Sequence, residues 1–255
     1  CKPKHQTSTP TSSMERGPLR SFYTVIGIGA VTLAVLHIQH AASGGCGADT
    51  RFGRDTPQIS DKMCCPVGRE IGRVGFLLQA AFSFAALTPP KDVARALTNE
   101  LGAAFWCCGG GVDAGSVVFA LAFLNSIGVV VLSAFDLCWR HWQVHQSGAI
   151  LFFLSGAALV FVLSLTRRTD GTLAFRRSKL KPLSCLLAVA AVPSLAGSSL
   201  VAEWLGVVAI ALAAIAMEMD VRRGTEAAEE RQDSSSKGES KDVSPSTTEL
   251  AKLPA

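Results

Sequence analysis

Ionisable side chains stand near the ends of several long apolar runs in this sequence. Glu203 lies early in one such run, His37 and His40 lie at the end of another, and His141 and His145 precede a third. An ionisable group within a segment of hydrocarbon length is costly to bury. Each of these residues is therefore a candidate for a binding or catalytic role.

Two interpretations need no catalysis. In the first, the polar residues lie at the membrane interface, where polarity costs little. In the second, they line a shallow exoplasmic pocket for a lipid headgroup, in which Arg69 and Arg73 hold phosphate. Glu203 and Asp61 would then hold hydroxyls or amines. The candidate pocket residues are Ser60, Asp61, Arg69, Arg73, Asp136, His145 and Glu203.

A third interpretation is metal-dependent lipid hydrolysis, in which histidines bind zinc and activate water. Two histidines one helical turn apart are a weak signal, because any such pair matches the spacing. The sequence has no P-loop, G-x-S-x-G or H-E-x-x-H motif. We predict no catalytic residue, cofactor or resident metal. The metal ligands in this alternative would be His37, His40, His141 and His145.

Long apolar runs must position these residues. Of the 255 residues, 49% are hydrophobic and only 17% are charged, which is unusual for a soluble domain. A membrane-spanning helix needs about 20 mostly apolar residues. We therefore predict an all-α, polytopic membrane helix bundle. Its six transmembrane helices would lie at about 21–43, 70–89, 112–136, 147–166, 182–198 and 200–219.

The distribution of Lys and Arg predicts the orientation. The basic segment RRTDGTLAFRRSKLK, at 167–181, and the basic residues near both chain ends are typical of the cytosolic side. The loop between the first two helices and the layer around Glu203 would then face the exoplasmic side. Topology and anionic lipid account for the basic segment, so we predict no nucleic-acid partner.

The chain divides into three predicted parts. Residues 1–20 form a disordered cytosolic segment, residues 21–221 the six-helix transmembrane domain, and residues 222–255 a disordered cytosolic tail. The tail is rich in Ser, Glu and Lys, so it is either solvated filler or a site for protein partners. Residues 90–111 would contain a short amphipathic helix on the cytosolic face.

The cysteines fall on both predicted sides of the membrane. Cys46, Cys64 and Cys65 lie in the first exoplasmic loop, an oxidising environment. We expect one disulfide between Cys46 and either of the other two. Cys107 and Cys108 would lie at the cytosolic interface, where palmitoylation and simple apolar packing both explain them.

Four short motifs resemble the signature of the damage-regulated autophagy modulator (DRAM) family. PQISD, followed by Pro66 and Glu70, resembles the family's P-[YF]-I-S-D-T-G…P-E. LNSIGVVVLSAFDL resembles the third helix, and VAEWL the C-E-W of the sixth. VHQSGAILFFLSGAALVF resembles the fourth-helix motif through His145, Gly148, Ala149, Phe152 and Gly156.

The chain departs from the family pattern in several places, which indicates a divergent member. Gln58 replaces the aromatic residue, and Lys62 and Met63 replace the T-G pair. Ala134 and Asp136 stand where the third helix of the family has the asparagine and glutamine of N-F-Q. The tyrosine of the fourth helix is absent.

The resemblance implies a non-enzymatic membrane protein that modulates autophagy and lysosome function or organises membrane lipid. A related branch implies GPI-anchor lipid remodelling as an alternative, and a small transporter is a second. Membrane lipids are the expected partners. The expected compartment is the lysosome or endosome, with Golgi, ER or plasma membrane as alternatives. Gly148, Phe152 and Gly156 recur every four residues, so they share a face on which another helix can pack closely.

Overall fold

The computed structural model describes residues 21–43, 59–101, 113–135, 142–166, 178–191 and 200–239. All regular structure in these ranges is α-helical. The helices are α1 (Phe22–Ala42), α2 (Ile59–Lys62), α3 (Pro66–Ala86), α4 (Pro90–Leu101), α5 (Ala114–Ala134), α6 (Trp142–Leu165), α7 (Leu180–Ala191) and α8 (Leu200–Glu239).

The chain is a helical membrane protein with fewer spans in its described part than the six predicted. Four segments are long and apolar enough to cross a membrane: Phe22–Ala42, Ala114–Ala134, Gln143–Leu165 and Val201–Arg231. A fifth span results if α3 and α4, which meet at a bend of 70°, count as one broken span. The 12 residues of α7 reach only ~18 Å, less than the ~30 Å hydrocarbon layer. Six spans and the cytosolic position of the termini stay predictions.

The break between α3 and α4 follows from two consecutive prolines. Pro89 and Pro90 have no amide hydrogen, and a residue that precedes proline is disfavoured in the helical conformation. Helix α3 therefore ends at Ala86, and Pro90 takes the first position of α4, where proline is well tolerated. Helix α4 lies within the region 90–111, where we predicted a short amphipathic helix, and its apolar face is buried.

Helices α1, α3, α5, α6 and α8 surround an internal space. Helix α1 packs on α3, α3 on α5, α5 on α6, and both α6 and α7 on α8, while α4 packs across α5 and α8. The bundle has two ends that we name after their carboxylates. The Glu203 end contains Lys62 and Glu203, and the Asp220 end contains Lys181 and Asp220. Helix α1 begins at the Asp220 end.

Glycines allow α5 and α6 to meet backbone to backbone. A Cβ atom on Gly128 would lie 2.6 Å from the backbone nitrogen of Phe152, and one on Gly148 would lie 2.6 Å from that of Leu132. Gly156 packs against the side chain of Ile210 in α8. In a membrane, such close approach of backbones supplies much of the attraction between helices.

The Asp220 end contains buried charges that the sequence analysis did not single out. The Lys181 Nζ atom lies 2.6 Å from Asp220 Oδ2, and these side chains are only 2% and 1% exposed. Glu218, also buried, accepts hydrogen bonds from Arg222 Nε at 2.8 Å and from the Phe22 amide at 3.2 Å. The Phe22 amide is one of the helix N-terminal donors that lack an intrahelical partner.

A second cation extends this network to α4. Arg223 Nη1 lies 3.8 Å from Asp220 Oδ1 and 3.9 Å from Glu100 Oε1. These ion pairs connect α4, α7 and α8. The hydrogen bond from the Phe22 amide to Glu218 connects the start of α1 to α8 as well. A buried charge is tolerated only where such partners surround it.

Helix α8 continues to Glu239, into the segment from 222 that we predicted to be disordered. The extension is rich in Glu, Ala and Arg, which favour helix. The ion pair between Arg222 and Glu218, which are four residues apart, also stabilises the helical turn that crosses residue 221, the predicted end of the transmembrane domain. Residues 240–255 lie outside the described ranges.

We expect Lys181→Met to lower the free energy of unfolding by about 3–5 kcal/mol, because it leaves the buried Asp220 with only the more distant Arg223 as a cationic partner. The double variant Lys181→Met/Asp220→Leu should recover most of that loss. Unfolding by SDS in mixed micelles measures both. Arg95→Met is the control: Arg95 is 68% exposed in its pair with Asp92, so the loss should stay under about 1 kcal/mol. A double variant less stable than Lys181→Met would contradict this account.

Two glycine-to-alanine substitutions should act in opposite directions. A Cβ atom on Gly224 would lie 1.9 Å from the carbonyl oxygen of Ala96, so Gly224→Ala must push α4 away from α8 and lower the melting temperature. Among the described residues, no atom lies within 4 Å of a Cβ on Gly27. Gly27→Ala should therefore be neutral or raise stability by up to ~1 kcal/mol through helix propensity. Equal melting temperatures for the two variants would refute the close contact.

Candidate functional site

An elongated cavity of about 710 Å³ lies inside the ring of helices. Its walls are mostly apolar and come from α1, α3, α5, α6 and α8. Along α1 the lining extends from Phe22 to His37, which at ~1.5 Å per residue is ~22 Å. The volume falls within the range of small-molecule sites, and the length suits an extended hydrocarbon chain.

The cavity opens sideways between α1 and α8. Four of its lining residues are exposed: Ala30, Ala34 and His37 on α1 and Val208 on α8. At the Glu203 end the two helices meet where the rings of His37 and Trp204 lie 5.8 Å apart. At the Asp220 end they meet through the bond from the Phe22 amide to Glu218 described above. The opening between these two contacts lies along the apolar length of two candidate membrane spans, Phe22–Ala42 and Val201–Arg231.

A compact polar cluster, formed by His37, Lys62 and Glu203, occupies the Glu203 end of the cavity. The Lys62 Nζ atom lies 2.6 Å from His37 Nδ1 and 3.0 Å from Nε2. Glu203 Oε2 accepts a hydrogen bond from the Ile59 amide at 3.0 Å, which ties α8 to the short helix α2. Lys62 itself is 3% exposed. His37 and Glu203 both line the cavity.

The charge state of Lys62 responds to this environment. Burial lowers the pKa of Lys62, because the ammonium form loses its hydration. The negative charge of Glu203 acts in the opposite direction and raises the pKa, but it does not offset the whole effect. Glu203 therefore helps to keep a buried cation charged at the end of an apolar cavity.

His145 borders the same cavity from α6. It is 3% exposed, and its Nδ1 donates a hydrogen bond to the Phe135 carbonyl at 2.7 Å, since a carbonyl only accepts. This bond fixes the proton of a neutral ring on Nδ1. Further along the cavity, Asn125 Nδ2 donates to the Phe152 carbonyl at 2.7 Å and joins α5 to α6.

The two arginines that we expected to hold phosphate do not line the cavity. Arg69 Nε lies 3.2 Å from Glu70 Oε1, and Arg73 Nη1 lies 3.6 Å from the same oxygen. Glu70 is well exposed. Of the predicted pocket residues, the structure brings His145 and Glu203 to the cavity. Asp136 and the side chains of Ser60 and Asp61 lie outside the described residues.

The four histidines proposed as zinc ligands do not all lie at the cavity. His37 and His145 line the cavity, whereas His40 does not, and His141 lies outside the described ranges. Among the side chains that the structure describes, no group of three or more His, Cys, Asp or Glu residues is arranged to hold a metal ion.

Cys64 and Cys65 are both disulfide-bonded, whereas we expected only one of them to form a bridge. They lie between α2 and α3, and Cys65 is the residue that precedes the first turn of α3. The bonded cysteines are thus close in sequence to Lys62. Cys46, Cys107 and Cys108 lie outside the described residues.

Sequence reasoning missed Lys62 as a site residue and treated it only as a departure from a motif. One available signal was its position, because a lysine directly after the Ile-Ser-Asp triplet enters the same layer as Glu203. The pairing with His37 was not visible, since 24 intervening residues carry no pattern that brings the two together.

Amine-reactive labelling of Lys62 across pH tests the electrostatics of the cluster. Half-maximal reaction should occur below pH ~10.4, the usual pKa of a free lysine, because burial lowers the pKa. Glu203→Gln removes the charge that raises this pKa, so the profile should move to still lower pH. Mass spectrometry of the labelled peptide gives the readout. The control Glu70→Gln should leave the profile in place, and a shift to higher pH in Glu203→Gln would refute the coupling.

Comparison with known proteins gives no relative. No family model matches this chain, and no curated protein or solved structure matches it. The helical membrane fold rests on the chain's own helices. The resemblance of the PQISD and VAEWL motifs to the DRAM family stays a prediction.

Proposed function

We propose that this membrane protein binds a single lipid chain in its interior cavity, without catalysing a reaction on it. The observation that carries the proposal is the position of the His37–Lys62–Glu203 cluster at one end of an elongated apolar cavity. An amphipathic molecule has the same division into a long apolar part and a polar end. The lateral opening between α1 and α8 gives it a route from the bilayer.

The apolar walls alone do not explain why a lipid would leave the bilayer for this site. Lipid tails around the protein are as apolar as its interior, so the hydrophobic effect contributes little to the transfer. Close packing along the cavity contributes some attraction, because unfilled space in a protein interior forfeits dispersion contacts. The polar cluster must supply the rest, through hydrogen bonds in a medium of low dielectric constant.

The cellular role follows from the family resemblance rather than from the cavity. A DRAM-like protein that holds or presents a lipid would modulate autophagy and lysosome function, or organise membrane lipid. We propose this role with membrane lipids as partners and the lysosome or endosome as the compartment. Fluorescence imaging of a tagged chain in intact cells, against markers for lysosome, Golgi and plasma membrane, tests the compartment separately from binding.

Filling the cavity should expel the lipid. We expect the wild-type protein to retain about one lipid per chain after purification in mild detergent, by native mass spectrometry. Ala34→Phe places a ring at the lateral opening and should lower that occupancy severalfold. Ala41→Phe is the matched control: it lies on the same helix and is also exposed, but it does not line the cavity.

Two results would count against binding. Wild-type protein that carries no lipid above the level of its detergent micelle would refute the proposal. Equal retention in the Ala34 and Ala41 variants would show that the lipid lies elsewhere on the protein.

A further inference from the structure

We propose that the cavity selects an uncharged lipid with hydroxyl groups at its polar end, such as a monoacylglycerol, over lipids with a charged end. The inference rests on the proposed lipid binding and names the chemical class of the ligand. The elements that impose the selection are the side chains of Lys62 and Glu203.

One negative and one positive charge lie at the polar end of the cavity: Glu203 lines it, and the buried Lys62 contacts the lining residue His37. Glu203 binds the amide of Ile59, three residues before Lys62 in α2, so the two charges act on each other. The His37 nitrogen that faces Lys62 must accept a hydrogen bond, because an ammonium group has only donors, so this ring is uncharged. His145 donates from Nδ1 to a carbonyl and completes the set of titratable groups that line the cavity.

A charged ligand would disturb this balance. A carboxylate or phosphate at the polar end would bring a second negative charge beside Glu203, and an amine would bring a second positive charge beside Lys62. Like charges placed together in a partly desolvated site oppose binding. An uncharged ligand leaves the existing pair intact.

A hydroxyl group also matches the hydrogen-bonding capacity of the cluster. It donates one hydrogen bond and accepts others, so it suits a site lined by the imidazole of His37 and the carboxylate of Glu203. An ionised phosphate ester has no proton to donate to Glu203.

The arginines support the same conclusion. Arg69 and Arg73 are the side chains near this end best suited to a phosphate, since guanidinium groups bind phosphate in a bidentate manner. Both have Glu70 as a partner, and neither lines the cavity. Among the described residues that line the cavity there is no guanidinium group, and the ammonium group of Lys62 contacts the lining residue His37.

Fluorescence quenching of Trp204, which lines the cavity, provides the test. The probes are monoolein, oleate and oleylamine, each brominated on the hydrocarbon chain so that it quenches tryptophan, added to the full-length protein in detergent micelles. Trp204→Phe identifies the part of the signal that comes from the cavity. Wild-type protein should be half-quenched by monoolein at about tenfold lower concentration than by either charged probe.

Two variants should change this preference in opposite directions. Glu203→Gln leaves the Lys62 charge unbalanced, so oleate should become the tightest probe. Lys62→Met leaves the Glu203 charge unbalanced, so oleylamine should become the tightest. Glu70→Gln, which changes an exposed carboxylate outside the cavity, should keep the wild-type order. If one variant fails to fold, the other still tests the selectivity, because a different probe is expected to bind most tightly to each variant.

The outcomes separate the two proposals. If no probe quenches Trp204 in wild-type protein, lipid binding in the cavity is wrong. If all probes bind wild-type protein alike, or a charged probe binds best, the cavity binds lipid but the inferred selectivity is wrong. A wild-type order that persists in both Glu203→Gln and Lys62→Met would also overturn it, because the pair would then not set the selection.

Discussion

The ion pair between Lys181 and Asp220 holds the bundle together at the end where α7 and α8 meet, and Arg223 extends it to α4. Inside a membrane, apolar surfaces gain little by meeting one another, so buried polar contacts take a larger share in fixing helices. At the opposite end Glu203 binds the Ile59 amide of α2. Helices α1 and α8 also contact each other near both ends, through the Phe22 amide and Glu218 and through the rings of His37 and Trp204, and the space between these contacts remains open as a cavity.

The sequence predicted the helices better than it predicted their contacts. Apolar length alone located α1, α5, α6 and the first half of α8, because a spanning helix must satisfy its backbone internally. Glu203 was recognisable because a carboxylate stands out in an apolar run. Glu218 and Asp220 escaped notice because, at the end of that run, they looked like the start of a polar tail. The burial of Asp220 depends above all on Lys181, and no spacing along the chain reveals that partner, which lies 39 residues earlier.

The predicted pocket and the observed cavity share only some of their residues, because the sequence reveals the depth of a residue in the membrane but not its contacts. Depth in the membrane is readable from sequence, so His145 and Glu203 were expected in one layer, and both border the cavity. The face of α1 that points into the bundle is harder to predict, because apolar residues occur on every face of this helix. Arg69 and Arg73 have the right charge and the right depth, yet they lie beside Glu70 rather than in the cavity.

Helix α8 runs without interruption for 40 residues, ~60 Å, from the turn that holds Glu203 to well beyond Asp220. Long helices curve gently but rarely flex sharply without a proline or a similar defect. The wall of the cavity and the projecting end of the helix are therefore parts of one rod. A tilt imposed at either extremity is shared along its length, so the width of the side opening and the direction of the projecting end are mechanically linked.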